Sequence, residues 1–460
     1  MRGPISPRIL RLTNEDTFTG RARRYARVST AMAGLGARLG AERYLGMPID
    51  RERHAADLKA ALGGIKGPLM KVAQLIATIP DALPDEYVRE LVTLQANAPA
   101  MGWPFVRRRM AGELGPDWQR RFKSFEREAA RAASLGQVHR AVGLDGTPLA
   151  CKLQYPEMGS AVEADLRQLR LAMGIYERYD KTVSTAEIHA EIADRLREEL
   201  DYEREAAHMR LYREILKDEP GVAVPRPIAE LSTRRLLTMT WLEGRPILEF
   251  AENAPVEVRN EIALCMFRTW YVPFYYYGVI HGDPHLGNYT VAPDRTVNLL
   301  DFGCVRIFPA RFVKGVIDLY HALERDDREL AVEAYRSWGF GNLSHEMIDV
   351  LNRWARFVYG PLLDNRDRMI QERAKPGADG RNLVDDVHRD LRRLGGIAPP
   401  RAFVFMDRAA VGLGSVFLHL QARINWHRLF HELIDDFDEA VLAERQREAL
   451  IRAGVPLPAG

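Results

Sequence analysis

One ordered set of residues constrains this chain more than any other. Val279-Ile280-His281-Gly282-Asp283-Pro284-His285-Leu286-Gly287-Asn288 is followed by Tyr289-Thr290-Val291, a Pro293-Asp294 turn, Val297-Asn298-Leu299-Leu300 and Asp301-Phe302-Gly303. Two short apolar runs separated by a Pro-Asp turn read as a β-hairpin. Asp283 and Asn288 precede its first strand and Asp301 follows its second. The hairpin therefore returns the chain on itself and brings the three side chains to one end. Two carboxylates and a carboxamide are hard oxygen donors, suited to Mg²⁺ held against phosphate oxygens.

An Asp beside the nucleophile, an Asn five residues on and a later Asp-Phe-Gly make the layout of a kinase catalytic loop. On that reading Asp283 is the catalytic carboxylate, and Asn288 and Asp301 are the magnesium ligands. His281 reads as a structural ring packed beneath the metal loop, while His285 has no assigned role. Pro148-Leu149-Ala150-Cys151-Lys152-Leu153-Gln154 reads as a strand whose Lys152 would pair the α- and β-phosphates of ATP. Upstream, where a kinase carries a Gly-rich phosphate cover, this chain carries Ala129-Ala130-Arg131-Ala132-Ala133-Ser134. Alanine methyls restrict close backbone approach and positive φ, so Ala132, Ala133 and Ser134 should hold phosphates differently or less closely. A helical insertion is expected from about Gly159 to Tyr179. A second helix, lined by Ile188, Ile192 and Leu196, opens on Ser184 and Glu187 as a capping box. It runs into Glu198-Glu199-Leu200-Asp201-Tyr202-Glu203-Arg204-Glu205, where Glu199 and Glu205 are both candidate ion-pair partners of Lys152. Leu242-Glu243-Gly244-Arg245 reads as a hinge where adenine would hydrogen-bond the backbone.

The stretch after Gly303 argues against one class of substrate. Helical periodicity begins almost at once, at Arg311-Phe312-Val313-Lys314, and no Ala-Pro-Glu appears. A protein kinase needs a long activation segment there, so phosphorylation of protein substrates is disfavoured. The net charge of +2 implies no global nucleic-acid footprint. Cys151, Cys265 and Cys304 are scattered without a CxxC, which argues against a disulfide framework and for a reducing compartment. No segment approaches the ~20 apolar residues of a membrane span. Ala409 to Leu420 is the nearest and reads as a core helix, as does the aromatic run Trp270 to Tyr277. The first residues lack the apolar core of a secretory signal. A cytoplasmic protein is expected, or one resting peripherally on a membrane. From Arg21 to Tyr44 an apolar stripe of Val28, Met32, Leu35 and Leu39 is flanked by arginines, a pattern for docking on a neighbouring lobe or lying on an anionic membrane. Leu58, Leu62, Ile65, Leu69 and Val72 form a further helical pattern, kinked at Pro68.

These motifs, in order, resemble the UbiB family of atypical kinase-like proteins, which support ubiquinone biosynthesis. The resemblance spans roughly residues 50 to 430. It rests on Lys71-x-x-Gln74, the Ala-rich loop ending Ala132-Ala133-Ser134, Lys152-Leu-Gln154-Tyr-Pro156, Glu199-x-Asp201-Tyr202-x-x-Glu205, His281-x-Asp283-x-x-x-x-Asn288 and Asp301-Phe-Gly303. It implies an α+β, two-lobed protein-kinase-like fold with a helical N-terminal extension. The segments would be 1–120 for the extension, 121–240 for the nucleotide lobe and 241–460 for the helical lobe. It further implies ATP- and Mg²⁺-dependent ATPase or kinase-like activity, with the helical extension, through Lys71-x-x-Gln74 and Glu199-x-Asp201, covering the place where a peptide would bind. A lipid or quinone-precursor small molecule would be the partner. Three positions depart from the family pattern: Ala73 stands where its Lys-x-Gly-Gln glycine lies, Arg131 at the first loop alanine, and Leu286-Gly287 at the usual Pro-Gly. Two other readings fit the catalytic residues. One is a small-molecule phosphotransferase of the aminoglycoside or choline kinase kind; the other is a nucleotide-binding regulatory pseudokinase.

Overall fold

The structure is a computed structural model that describes residues 101–458 except 133–134, 156–157, 180–184, 342, 371–385, 388, 392 and 395–399. Lys71, Gln74, Ala133, Ser134, the capping Ser184 and the basic helix expected at 21–44 lie outside the described residues. The chain divides into two compact units, residues 1–201 and 202–460. The division falls inside the segment expected as the nucleotide lobe.

In the first unit, α1 (Trp103–Leu114) leads to strands β1 (Phe122–Phe125), β2 (Arg131–Ala132), β3 (Gly136–Gly143) and β4 (Pro148–Gln154). β3 is the hub, pairing antiparallel with β1, β2 and β4. Its alternate residues are buried, the period that a half-covered sheet demands. A turn at Asp145-Gly146 joins β3 to β4. There the Thr147 amide donates to Asp145 Oδ1 at 2.9 Å, and Gly146 takes a φ of 88°. The register places Lys152 opposite Val138. Two helices follow, α2 (Met158–Tyr179) and α3 (Thr185–Glu199). They pack through Val162, Leu166, Leu169, Ile192 and Leu196. The insertion helix and the apolar face through Ile192 and Leu196 are thus where periodicity places them.

The second unit begins with α4 (Tyr202–Ile215), then short strands β5 (Val222–Ala223), β6 (Leu236–Thr240) and β7 (Arg245–Pro246), and α5 (Ile247–Glu252). The 22-residue α6 (Val256–Tyr277) stops at Gly278, whose left-handed φ of 63° lets its amide reach the carbonyls of Phe274 and Pro273. β8 (Val279–His281), the hairpin β9 (Tyr289–Val291) and β10 (Val297–Leu299), and β11 (Val305–Ile307) build the site. Helices complete the unit: α7 (Ala310–Arg325), α8 (Arg328–Ser337), α9 (His345–Tyr359), α10 (Arg401–Leu420), α11 (Trp426–Ile434) and α12 (Glu439–Ala453). Ala409, Leu413, Val416, Phe417 and Leu420 of α10 are buried, in line with a core helix. Among the described residues no helix is long and apolar enough to cross a membrane. Buried Gln446 of α12 donates through Nε2 to the carbonyls of Tyr277 at 2.7 Å and Phe308 at 2.8 Å. One amide thereby clamps the entrance of β8 to the exit of β11.

Candidate functional site

The expected hairpin forms, with Asn298 opposite Thr290 and Leu299 opposite Tyr289. Its turn closes where Asp294 Oδ1 accepts from the Thr296 amide at 3.0 Å and Arg295 adopts a φ of 72°. A second ladder, not visible in the residue pattern, completes the frame. β8 pairs antiparallel with β11, Ile280 opposite Arg306. The strand that enters the Asp283 loop is therefore bonded to the strand that leaves Asp301-Phe302-Gly303. At the open end of that ladder the Gly282 amide donates to the Cys304 carbonyl at 2.5 Å. A Cβ on Gly282 would lie 2.8 Å from Cys304 Sγ and 3.1 Å from the Cys304 carbonyl oxygen, so a side chain here would displace Cys304.

His281 ties the two loops together. Its Nε2 donates to the Asp301 carbonyl at 2.6 Å, and its Nδ1 accepts from the Asp283 amide at 3.3 Å. The ring is buried among Tyr212, Trp270 and Phe302. His208 of α4 also reaches the Asp-Phe-Gly turn, its Nδ1 lying 3.2 Å from the Phe302 carbonyl oxygen. The structural role expected for His281 is the one it occupies. His285 now has a role as well: its Nδ1 accepts from the Gly287 amide at 3.0 Å, capping the tight turn Leu286–Asn288 that presents Asn288.

Asn288 spends its Nδ2 on the Asp283 carbonyl at 3.2 Å, which leaves its side-chain oxygen as the donor atom a cation would use. Its own carbonyl accepts from the Leu300 amide at 3.0 Å, directly before Asp301. Asp301 Oδ1 accepts from the Gly303 amide at 2.9 Å. Asp283, Asn288 and Asp301 thus belong to one hydrogen-bonded frame. Tyr289, fully buried and accepting from Trp270 Nε1 at 3.0 Å, senses both carboxylates. Burial lifts its phenol well above the ordinary value, and the charges of Asp283 and Asp301 act in the same direction. It therefore stays protonated and is excluded as a base. This donor set of carboxylate and carboxamide oxygens fits a hard divalent cation such as Mg²⁺.

After Gly303 the chain runs directly through β11 into α7 at Ala310. The segment from Cys304 to Pro309 has no room for a peptide platform. At the expected hinge, Asn298 Nδ2 donates to the Glu243 carbonyl at 2.9 Å and so anchors that segment to the hairpin.

In the first unit, half-buried Lys152 stands on β4 as expected, and exposed Ala132 lies on β2 opposite Gln137. Gln154 is a residue that pattern reading named only as part of a motif. Its Nε2 donates to the Leu200 carbonyl at 2.7 Å, holding β4 against the end of the helix that carries Glu199. Gln137 went unrecognised: its Oε1 accepts from the Met101 amide at 2.6 Å, and its Nε2 approaches His139 Nε2 at 2.8 Å. Burial depresses the His139 pKa. Neither residue sits in a motif, so only its burial reveals it. Glu199 belongs to the first unit and Glu205 to the second, where Glu205 is only 2% exposed. Each of Lys152, Glu199 and Glu205 has an interacting partner.

A fold of this kind with such a loop defines an atypical kinase-like protein, and comparison with known proteins agrees. The family model described as the ABC1 atypical kinase-like domain matches residues 93–335. The chain belongs to that family, the one that includes UbiB. It is 29% identical over 431 residues to the mitochondrial atypical kinase coq-8 of Caenorhabditis elegans, covering 90% of this chain and 55% of that protein. It is 29% identical over 380 residues to the mitochondrial atypical kinase COQ8 of Saccharomyces cerevisiae, covering 80% of this chain and 74% of the yeast protein. The chain thus spans about half the length of the nematode relative. A solved Mycobacterium tuberculosis protein, Rv3197 in complex with erythromycin, superposes with a TM-score of 0.60 at 27% identity. That superposition covers 83% of this chain and 96% of the mycobacterial one.

Proposed function

We infer that this chain is a Mg²⁺-ATP-dependent atypical kinase or ATPase that assists isoprenoid-quinone or related lipid metabolism. The observation that supports it best is the His281 bridge, which holds the Asp283 and Asp301 loops in one frame with Asn288 between them. When bound, Mg²⁺ would neutralise charge developing on the phosphates. Asn288 and Asp301 would hold it, while Asp283 would orient the attacking water or hydroxyl. Lys152 would pair the α- and β-phosphates with Glu199 or Glu205 positioning it, and Ala132, Ala133 and Ser134 would cover the nucleotide. Lys71 and Gln74 would close the peptide side. The protein would act in the cytoplasm or peripherally on a membrane, with a lipid or quinone precursor as its small-molecule partner. The nematode and yeast relatives, named atypical kinases, support the kinase-like part of this reading, and the short segment after Gly303 supports it over protein phosphorylation. The erythromycin complex of the mycobacterial relative supports a second reading, a phosphotransferase acting on a small molecule.

The test is phosphate release from ATP by purified protein, with Mg²⁺ or with EDTA, and with anionic vesicles or a soluble phenol added. Release that needs Mg²⁺ and rises with lipid or phenol is the expected result. Nucleotide binding without any release would sink the turnover reading in favour of a regulator.

A second prediction concerns how α10 meets the catalytic loop. A Cβ on Gly412 would lie 2.3 Å from Pro284 Cγ, next to Asp283. Gly412→Ala must displace Pro284 or the helix, an overpacking cost of about 1–3 kcal/mol. Alanine is otherwise the better helix former, so a loss can be traced to this contact. Turnover should fall about a hundredfold, as ångström-scale misplacement does, with helical circular dichroism retained. Wild-type turnover would show that the loop tolerates the shift.

A further inference from the structure

The second unit holds a partly open cavity of about 120 Å³, walled by α6, α7, α8, α9, α10 and α11 and the segment after α9. Tyr271, Tyr275, Trp338, Phe403, Phe417 and Trp426 are among its aromatic lining. No charged side chain lines it among the described residues. Apolar cavities of about 150 Å³ stay dry and admit a molecule such as benzene.

The cavity is not purely apolar. Tyr275 lines it and is only 2% exposed, yet its hydroxyl has no hydrogen-bond partner among the described residues, and neither has that of Tyr271. The two rings stack one helical turn apart on α6, 5.8 Å between centroids. Other phenols of the same wall are satisfied. Tyr335 donates to Asn352 Oδ1 at 3.0 Å and Tyr359 to the Val316 carbonyl at 3.0 Å. Tyr275 is buried and Tyr271 half-buried, and buried polar groups are normally paired, so these two donors on one cavity wall are placed to meet an acceptor held in it. Burial raises both phenols above their ordinary value, which keeps them protonated and donating.

We propose that this cavity is a binding site for an uncharged, ring-sized apolar molecule carrying one acceptor oxygen, a carbonyl or an ether, which accepts hydrogen bonds from Tyr271 and Tyr275. The absence of charge among the described lining residues selects against ions, the aromatic walls select for a ring, and the two hydroxyls orient its oxygen. The site stands apart from the reading of the catalytic loop and does not depend on it.

Ligand-observed NMR titrations of the full chain with cyclohexanone, and with benzene as the ring lacking an oxygen, test the proposal. The wild type should bind both saturably, cyclohexanone more tightly. Tyr271→Phe combined with Tyr275→Phe should weaken cyclohexanone about tenfold, the worth of one to two hydrogen bonds, and leave benzene unchanged. Gly414→Leu should abolish both. A Cβ there meets nothing within 4 Å, and Gly414 lines the cavity. Leucine also favours a helix over glycine, so this variant fills the space while α10 stays folded. Absence of saturable binding to the wild type would overturn the proposal. So would undiminished binding to a folded Gly414→Leu protein, or an equal loss of benzene and cyclohexanone in the double phenylalanine variant.

Discussion

Asp301→Asn is expected to lower Mg²⁺-ATP turnover about a thousandfold, equivalent to roughly 4 kcal/mol of lost metal-centred charge stabilisation. The fold should survive. Asp301 Oδ1 accepts from the Gly303 amide at 2.9 Å, and an asparagine oxygen can accept the same bond. The Asp301 carbonyl still receives the proton of His281 Nε2. What disappears is one negative charge at the atoms that would meet the cation. The result is measured as phosphate release over a Mg²⁺ titration, with thermal unfolding as the control for folding. Turnover at the wild-type rate would remove Asp301 from the metal site.

His281→Phe separates geometry from charge at the same place. Phenylalanine keeps an aromatic ring among Tyr212, Trp270 and Phe302 but can neither donate to the Asp301 carbonyl nor accept from the Asp283 amide. Two backbone groups lose their partner in a buried setting, at about 1–3 kcal/mol for each one left unsatisfied. The midpoint of thermal unfolding should fall by several degrees, and turnover by about a hundredfold as the two loops lose register. Raising Mg²⁺ should recover only part of the rate, because the ligands remain but their spacing does not. Full recovery by Mg²⁺ would show that His281 acts on metal affinity alone.

Much of the fold was legible where its cause is local. The β9–β10 hairpin follows from two apolar runs around Pro293-Asp294. α2 and α3 follow from 3.6-residue periodicity, and the position of Lys152 from the run Pro148 to Gln154. The role of His285 was illegible because capping depends on a backbone angle rather than on spacing. The aromatic run Trp270 to Tyr277 reads as core, and Trp270, Phe274 and Tyr275 are core. Tyr271 and Tyr275 also line a cavity because α8, α9 and α10 leave a gap opposite them. No property of α6 alone announces that.

The sequence by itself determined the atypical kinase-like class, the order of Asp283, Asn288 and Asp301, and the absence of a peptide platform after Gly303. Each depends on residues close together in the chain. Only the tertiary structure decided that β8 pairs with β11, that His281 spans the two aspartate loops, and that Gly282 and Gly412 lie tight against Cys304 and Pro284. The physical reason is range. A hairpin is encoded by its own turn, whereas a close approach or a buried hydrogen bond depends on which distant element arrives opposite.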